Sequence, residues 1–228
     1  MPANPPQKRH PYNQWAPDAR ALDLVGDKWT LLIVRDLAAG PRRFVELQRV
    51  MPGISTEQLR SRLNRMVADG LLTRQRYREV PPRVDYELTD RSRELLPVLG
   101  ALARWGHEWV WTAPREGEAI DVGAILRIAP GLLSPPTSTA GVAEFTVRLE
   151  DGAPRHYALT VDSGSVTIAE REAPDADARV HGSERDWIEA LGPNRTRDAL
   201  TVEGDERLAG VLLDGLSPAG ADRAARVA

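Results

Sequence analysis

The chain has 228 residues, enough for two small cores, and its 42% hydrophobic and 28% charged residues are those of an ordinary globular protein. It contains no cysteine, which excludes disulfides, thiolate redox chemistry and most structural zinc sites. No apolar run reaches the roughly 18 residues that span a bilayer, and the opening MPANPPQKRHP lacks the apolar stretch of a secretory leader. A cytoplasmic protein without a membrane partner is therefore expected.

Charge is unevenly divided. Residues 1–112 carry 18 basic and 13 acidic side chains, whereas residues 113–228 carry 12 and 20, so a +5 half precedes a −8 half. All basic residues but Lys8 and Lys28 are arginine, which forks onto phosphate and guanine. The division suits a first half that meets a polyanion, although an imbalance this modest also fits an ordinary solvated surface.

Residues 1–15 read as a flexible arm. Pro17 suits the first turn of a helix, and Ala19, Leu22 and Val25 form an i, i+3 stripe that Gly26 ends. KWTLLIVRDLAAG, apolar at Trp29, Leu32, Ile33 and Leu37, predicts a buried helix stopped by Gly40-Pro41. RFVELQRV, residues 43–50, predicts a third helix on Phe44, Leu47 and Val50.

After the turn MPGI, STEQLRSRLNRMVADG gives the sharpest helix pattern of the chain. Ser55 and Gln58 fit a capping box, Leu59, Leu63, Met66 and Val67 line one face, and Gly70 can supply a left-handed cap. LLTRQRY (71–77) and RVDYEL (83–88) predict two strands around a tip stiffened by Pro81 and Pro82. A helix is expected from Thr89 to Trp111, bent at Pro97. A short helix, a tight turn, a well-capped helix and a hairpin make a winged helix-turn-helix.

In such a unit the helix over residues 55–69 enters the major groove with its first turns. Thr56, Gln58 and Ser61 are then the candidate base readers, with Arg60 or Arg62 reaching phosphate or guanine. Ser55 is a candidate contact whose other reading is a cap, and Gln58 carries the same two readings. Arg42 and Arg43 precede the third helix, and Arg74, Arg76, Arg78 and Arg83 flank the wing. These would grip phosphates without reading sequence, or form a solvated basic face.

Beyond Trp111 the character changes. Residues 113–123, rich in proline, glycine and acids, predict a linker, and 124–133 a short helix. VAEFTVRLE and HYALTVD alternate at period two, SVTIAERE reads as a third strand and DARVHG as a fourth. SERDWIEALG is a helix capped by Ser183, ALTVEGD a last strand and ERLAGVLLDGL a last helix. The fold class expected is α+β: an N-terminal winged helix-turn-helix domain and a C-terminal α+β domain with an antiparallel sheet.

ALDLVGDKWTLLIVRDLAAGPRRFVELQRVMPGIS, LRSRLNRMVADGLLTR and EVPPRVDYELTDRSRELLPVLGALARWG, within residues 16–110, resemble the HxlR-type winged-helix regulators. The resemblance implies a double-stranded DNA partner and a homodimer built mainly from the first and last helices of the domain. Trp15, Leu22, Trp105 and Trp109 are then candidate dimer-face residues, with packing inside one subunit as their other reading. Many members begin this domain with Cys-Pro, and in some the thiol senses oxidants; here Ala16-Pro17 stands there, so that mode of sensing is chemically closed.

The strands VAEFTVRLE and HYALTVD, with DARVHGSERDWIEAL and ALTVEGDERLAGVLLDGL, resemble the sterol carrier protein-like fold. That resemblance implies shelter for an apolar small-molecule effector, whose binding residues the sequence leaves unknown; a scaffold or a second dimer surface is the other reading of this half. The expected organisation is an arm (1–15), a DNA-binding and dimerisation domain (16–112), a linker (113–123), an effector domain (124–220) and a tail (221–228).

A nucleophile with its base, a phosphate loop and a metal cluster are not discernible, so neither catalysis nor a cofactor is expected. Asp121, Glu144 and Glu150 read as surface carboxylates. His10, His107, His156 and His181 stand at no metal-ligand spacing. The alternative function is a lipid carrier whose N-terminal half serves dimerisation only.

Overall fold

Local signals in the sequence decide where each element starts and stops. A computed structural model describes residues 11–78, 83–150 and 152–217. The first ten residues of the arm, the tip at 79–82 and the tail lie outside the described residues. The chain divides into two compact units, one ending at Leu95 and the other starting at Leu96.

In the first unit Pro17 opens α1 (Pro17–Val25), followed by α2 (Thr30–Asp36), β1 (Arg42–Arg43), α3 (Phe44–Val50) and α4 (Thr56–Ala68). Next come β2 (Leu72–Tyr77), β3 (Arg83–Leu88) and the single turn α5 (Asp90–Arg93). Ile33, Leu37, Leu47, Leu59 and Leu63 are fully buried and form the centre of the core. Helix α4 ends as its sequence demands. Gly70 adopts φ +70°, and the amides of Gly70 and Leu71 return to the carbonyls of Val67 and Met66, the paired bonds of a Schellman cap.

The sheet of this unit has three strands in the order β1-β3-β2, all antiparallel. The two-residue strand β1 was not anticipated: Arg42 pairs with Tyr86 and Arg43 with Asp85, which ties the start of α3 to the hairpin.

The helix expected over 89–111 is in fact two. Proline at 97 has no N–H and its ring collides with the carbonyl four residues back, so the helix cannot run through it. The chain breaks at Glu94–Leu95 and restarts as α6 (Leu96–Trp109), with Pro97 in the first turn.

The second compact unit starts with α6. Leu96, Leu99 and Gly100 are buried, and α6 packs on α8 (Ala129–Leu132), which follows α7 (Val122–Leu126). Pro130 in its first turn makes two short helices of the one expected over 124–133. A Cβ on Gly100 would lie 1.8 Å from the Gly131 carbonyl oxygen, and one on Gly131 would lie 1.8 Å from that of Leu96. The helices thus meet backbone to backbone where only glycine fits. Arg104 donates to the Leu132 carbonyl at 3.1 Å, and the Trp111 indole N–H donates to the Leu191 carbonyl at 3.1 Å. The helix is fastened along its length.

The remaining elements are β4 (Gly141–Arg148), β5 (Arg155–Asp162), β6 (Ser165–Ala169), β7 (Ala178–Ser183), α9 (Glu184–Leu191), β8 (Thr201–Gly204) and α10 (Glu206–Leu216). The sheet has the order β6-β5-β4-β7-β8. It is not wholly antiparallel as expected, because β4 and β7 pair in parallel at its centre. Alternation along β4 buries Ala143, Phe145 and Val147. Helices α8, α9 and α10 pack against the sheet. Trp187 is fully buried, tilts over Phe145 with ring centroids 5.3 Å apart and donates to the Thr146 carbonyl at 2.9 Å.

His107 on α6 adds a pH dependence. Its ring lies edge-on to Trp111 at 5.5 Å, and its buried Nδ1 has no hydrogen-bond partner among the described residues. Burial lowers its pKa below the ordinary value. The folded chain therefore resists a proton that the unfolded chain accepts once pH falls below about 6.5. Stability is full above that pH and declines as pH falls towards the lowered value. Thermal melts between pH 7.5 and 5 should show this decline, with a shallower pH slope in His107→Gln; equal slopes would remove His107 as the cause.

Candidate nucleic-acid interface

The start of α4 is both well capped and uncovered. Ser55 Oγ accepts from the Gln58 amide at 3.2 Å, and Gln58 Oε1 accepts from the Ser55 amide at 3.1 Å. The box leaves the two amide donors of the Gln58 side chain uncommitted to it. Ser55, Thr56, Glu57, Gln58, Arg60, Ser61 and Asn64 are exposed, whereas Leu59, Leu63 and Met66 are buried. At 100° per residue Glu57, Ser61 and Asn64 lie opposite the buried set and Gln58 and Arg60 on its flanks, while Ser55 and Thr56 open the helix above the buried stripe. Thr56 Oγ1 accepts from Gln48 Nε2 at 2.7 Å, a bridge from α3 that leaves its O–H free to donate outward. Arg60 pairs with Glu57 at 3.0 Å on the exposed side.

The predicted arginines fall into distinct settings. Arg76 and Arg78 are exposed at the far end of β2. Arg83 is held instead: its Nη2 lies 2.6 Å from the buried Asp85 carboxylate, and its guanidinium sits over the Tyr77 ring at 5.3 Å. Arg43 reaches the same carboxylate at 3.9 Å, while Arg42 is half-buried on β1. Arg62 turns towards Asp27 at 3.0 Å. The sequence reading missed these anchoring acids. Asp85 is hidden inside a strand pattern, and Asp27 was legible only as an acid three residues ahead of Thr30.

The candidate dimer-face residues lie on two helices and one flanking segment. Trp15 and Leu22 are exposed, at 95% and 47%. On α6 the residues Val98, Leu102, Trp105 and Trp109 are all exposed. Their spacing forms one stripe, on a helix whose buried residues Leu96, Leu99 and Gly100 meet α8.

A sequence model of the family described as HxlR-like helix-turn-helix matches residues 24–113. An uncharacterised HTH-type transcriptional regulator of Synechocystis is 42% identical over 94 residues, which cover 41% of this chain and 70% of that protein. The chain belongs to the HxlR-like helix-turn-helix family. Another HTH-type regulator, from Halalkalibacterium halodurans, is 44% identical over 94 residues and is covered to 83%. Among solved structures, the redox regulator HypR in its oxidised form is 35% identical, covering 40% of this chain and 94% of that one, with a TM-score of 0.39. The HxlR-like match ends near the last turn of α6, so the sheet of the second unit lies beyond it.

Proposed function

We propose that the chain is a sequence-specific DNA-binding transcriptional regulator that works as a homodimer and answers to a small-molecule effector in its C-terminal unit. One observation carries the DNA reading: the first turns of α4 expose Thr56, Gln58 and Ser61 while Leu59 and Leu63 hold the helix in the core. The two HTH-type regulators named above each match 94 residues of this chain, at 42% and 44% identity. Phosphate contacts fall to Arg76 and Arg78, which are exposed. A lipid carrier would need none of these features.

The dimer reading rests on the exposed stripe of α6. The effector reading rests on the C-terminal unit's resemblance to the sterol carrier protein-like fold, and on one buried hydroxyl among the charged side chains of Arg127, Asp121 and Glu170. The Tyr157 hydroxyl is fully buried with no hydrogen-bond partner among the described residues, and burial raises its pKa so that it stays a neutral donor. A ligand that offers an acceptor would satisfy it. Because α6 is fastened to α8 and presents the dimer stripe, a shift in the C-terminal unit would reach the partner subunit through this helix.

Fluorescence anisotropy on the chain's own upstream duplex tests the reading. Affinity should fall steeply with salt, and Arg76→Ala should reduce the log–log slope by about 1. No binding at any salt would leave only the carrier reading. Thr56→Ala should change the motif selected from a random duplex library more than it changes non-specific affinity. An identical motif would remove Thr56 as a reader. Native mass spectrometry of the purified chain tests the effector: a retained apolar mass that Tyr157→Phe loses is expected, and a mass retained equally by both would take the hydroxyl out of the site.

A further inference from the structure

Asp27 joins two helices with one carboxylate. Its Oδ1 accepts from the backbone N–H of Trp29 at 2.9 Å and of Thr30 at 3.1 Å, and its Oδ2 accepts from the Thr30 hydroxyl. These bonds cap the start of α2. The same Oδ2 lies 3.0 Å from Arg62 Nη1 on α4, and both side chains are only 25% exposed. Arg62 Nε is buried with no hydrogen-bond partner among the described residues, so the guanidinium is drawn into the protein. Its neighbour Ser61 is exposed and its other neighbour Leu63 is fully buried, which places Arg62 at the border of the outward face.

We propose that Asp27 and Arg62 form a latch that sets the angle at which α4 is presented to DNA, and that Arg62 is a positioning residue, not a phosphate or base contact. The inference rests on the DNA-binding reading above. A rigid helix–helix link of this kind acts on affinity through geometry, since a recognition surface held loosely loses much of its binding. Both side chains are one-quarter exposed, so removing the pair costs an amount between that of a surface pair and that of a buried one. Asparagine at 27 keeps the oxygen that accepts from the two α2 amides, removes the charge and puts a donor where Oδ2 stood, so that the Thr30 hydroxyl must turn to accept from it.

The test is a set of anisotropy titrations over a range of salt, using the duplex that the parent protein selects from a random library. The proteins are the parent, Asp27→Asn, Arg62→Gln, Arg62→Lys and the Asp27→Asn/Arg62→Gln double variant. Each of the first and second variants should weaken binding roughly tenfold, within the range for coupled neighbours, and the double variant should be no weaker than either. The salt slope should stay at the parent value, because no phosphate contact is lost. Arg62→Lys should recover much of the affinity, since lysine restores the charge opposite Asp27 without the fork.

If Arg62→Gln lowers the slope by about 1 while Asp27→Asn binds as the parent does, Arg62 grips phosphate and the latch is overturned with DNA binding intact. Parent-like affinity in both single variants overturns it too. A parent that selects no duplex removes the DNA-binding reading itself, and the latch with it.

Discussion

Gly100→Ala is expected to destabilise the C-terminal unit by roughly 3 kcal/mol, the upper end of overpacking costs. The added Cβ would lie 1.8 Å from the Gly131 carbonyl oxygen and 2.2 Å from its carbon. Both are backbone atoms that cannot rotate away, so the two helices must separate. Gly106→Ala, on the same helix but with nothing within 4 Å of the new atom, is the control. It should be neutral or stabilising, since alanine is favoured over glycine inside a helix by about 0.5–1 kcal/mol. Urea titration of the full chain measures both. A cost below 1 kcal/mol for Gly100→Ala would mean that α6 does not rest on α8 in solution.

Leu102→Asp combined with Trp105→Glu should yield a folded monomer whose affinity for the selected duplex is lower by about a hundredfold or more. A dimer holds its second DNA-binding unit at high effective concentration, and losing the link forfeits that gain. Both residues are exposed, at 51% and 58%, so the substitutions strain no core within the subunit. Sedimentation velocity reads the oligomeric state and anisotropy reads the affinity. A variant that stays dimeric would move the interface off α6. A monomer with parental affinity would detach dimerisation from DNA binding.

Much of the fold was legible in the sequence because the local signals were strong. Ser55 with Gln58, Gly70 and the Leu59–Leu63–Met66 spacing fixed α4 to within a residue at each end. Ser183 caps α9 through the Asp186 amide, and the last helix runs over the residues read as such. The failures were those of tertiary context. Nothing in RRF announces that Arg42 and Arg43 pair with β3. The proline at 97 was read as a bend, yet it marks a break that assigns α6 to the other unit. The parallel pairing of β4 with β7 depends on contacts far apart in the chain, which alternation alone cannot specify.

For the candidate interface, the sequence supplied the helix and its outward residues but not the state of each arginine. A charge pattern shows how many cations a segment has, not which are already answered by acids. Arg62 and Arg83 were counted with Arg76 and Arg78, yet the first two meet Asp27 and Asp85 while the last two are exposed. The positions of the acids depend on the turn before α2 and on strand register, which only the folded chain reveals.

Photo-cross-linking from position 61 tests the central claim most directly. A photoreactive amino acid replacing Ser61 in the full chain, irradiated with the selected duplex, should cross-link to base edges of the major groove. The adducts should fall in two half-sites about one helical turn apart, as a twofold dimer requires. Cross-links from position 61 only to protein, while the duplex stays bound, would contradict the account.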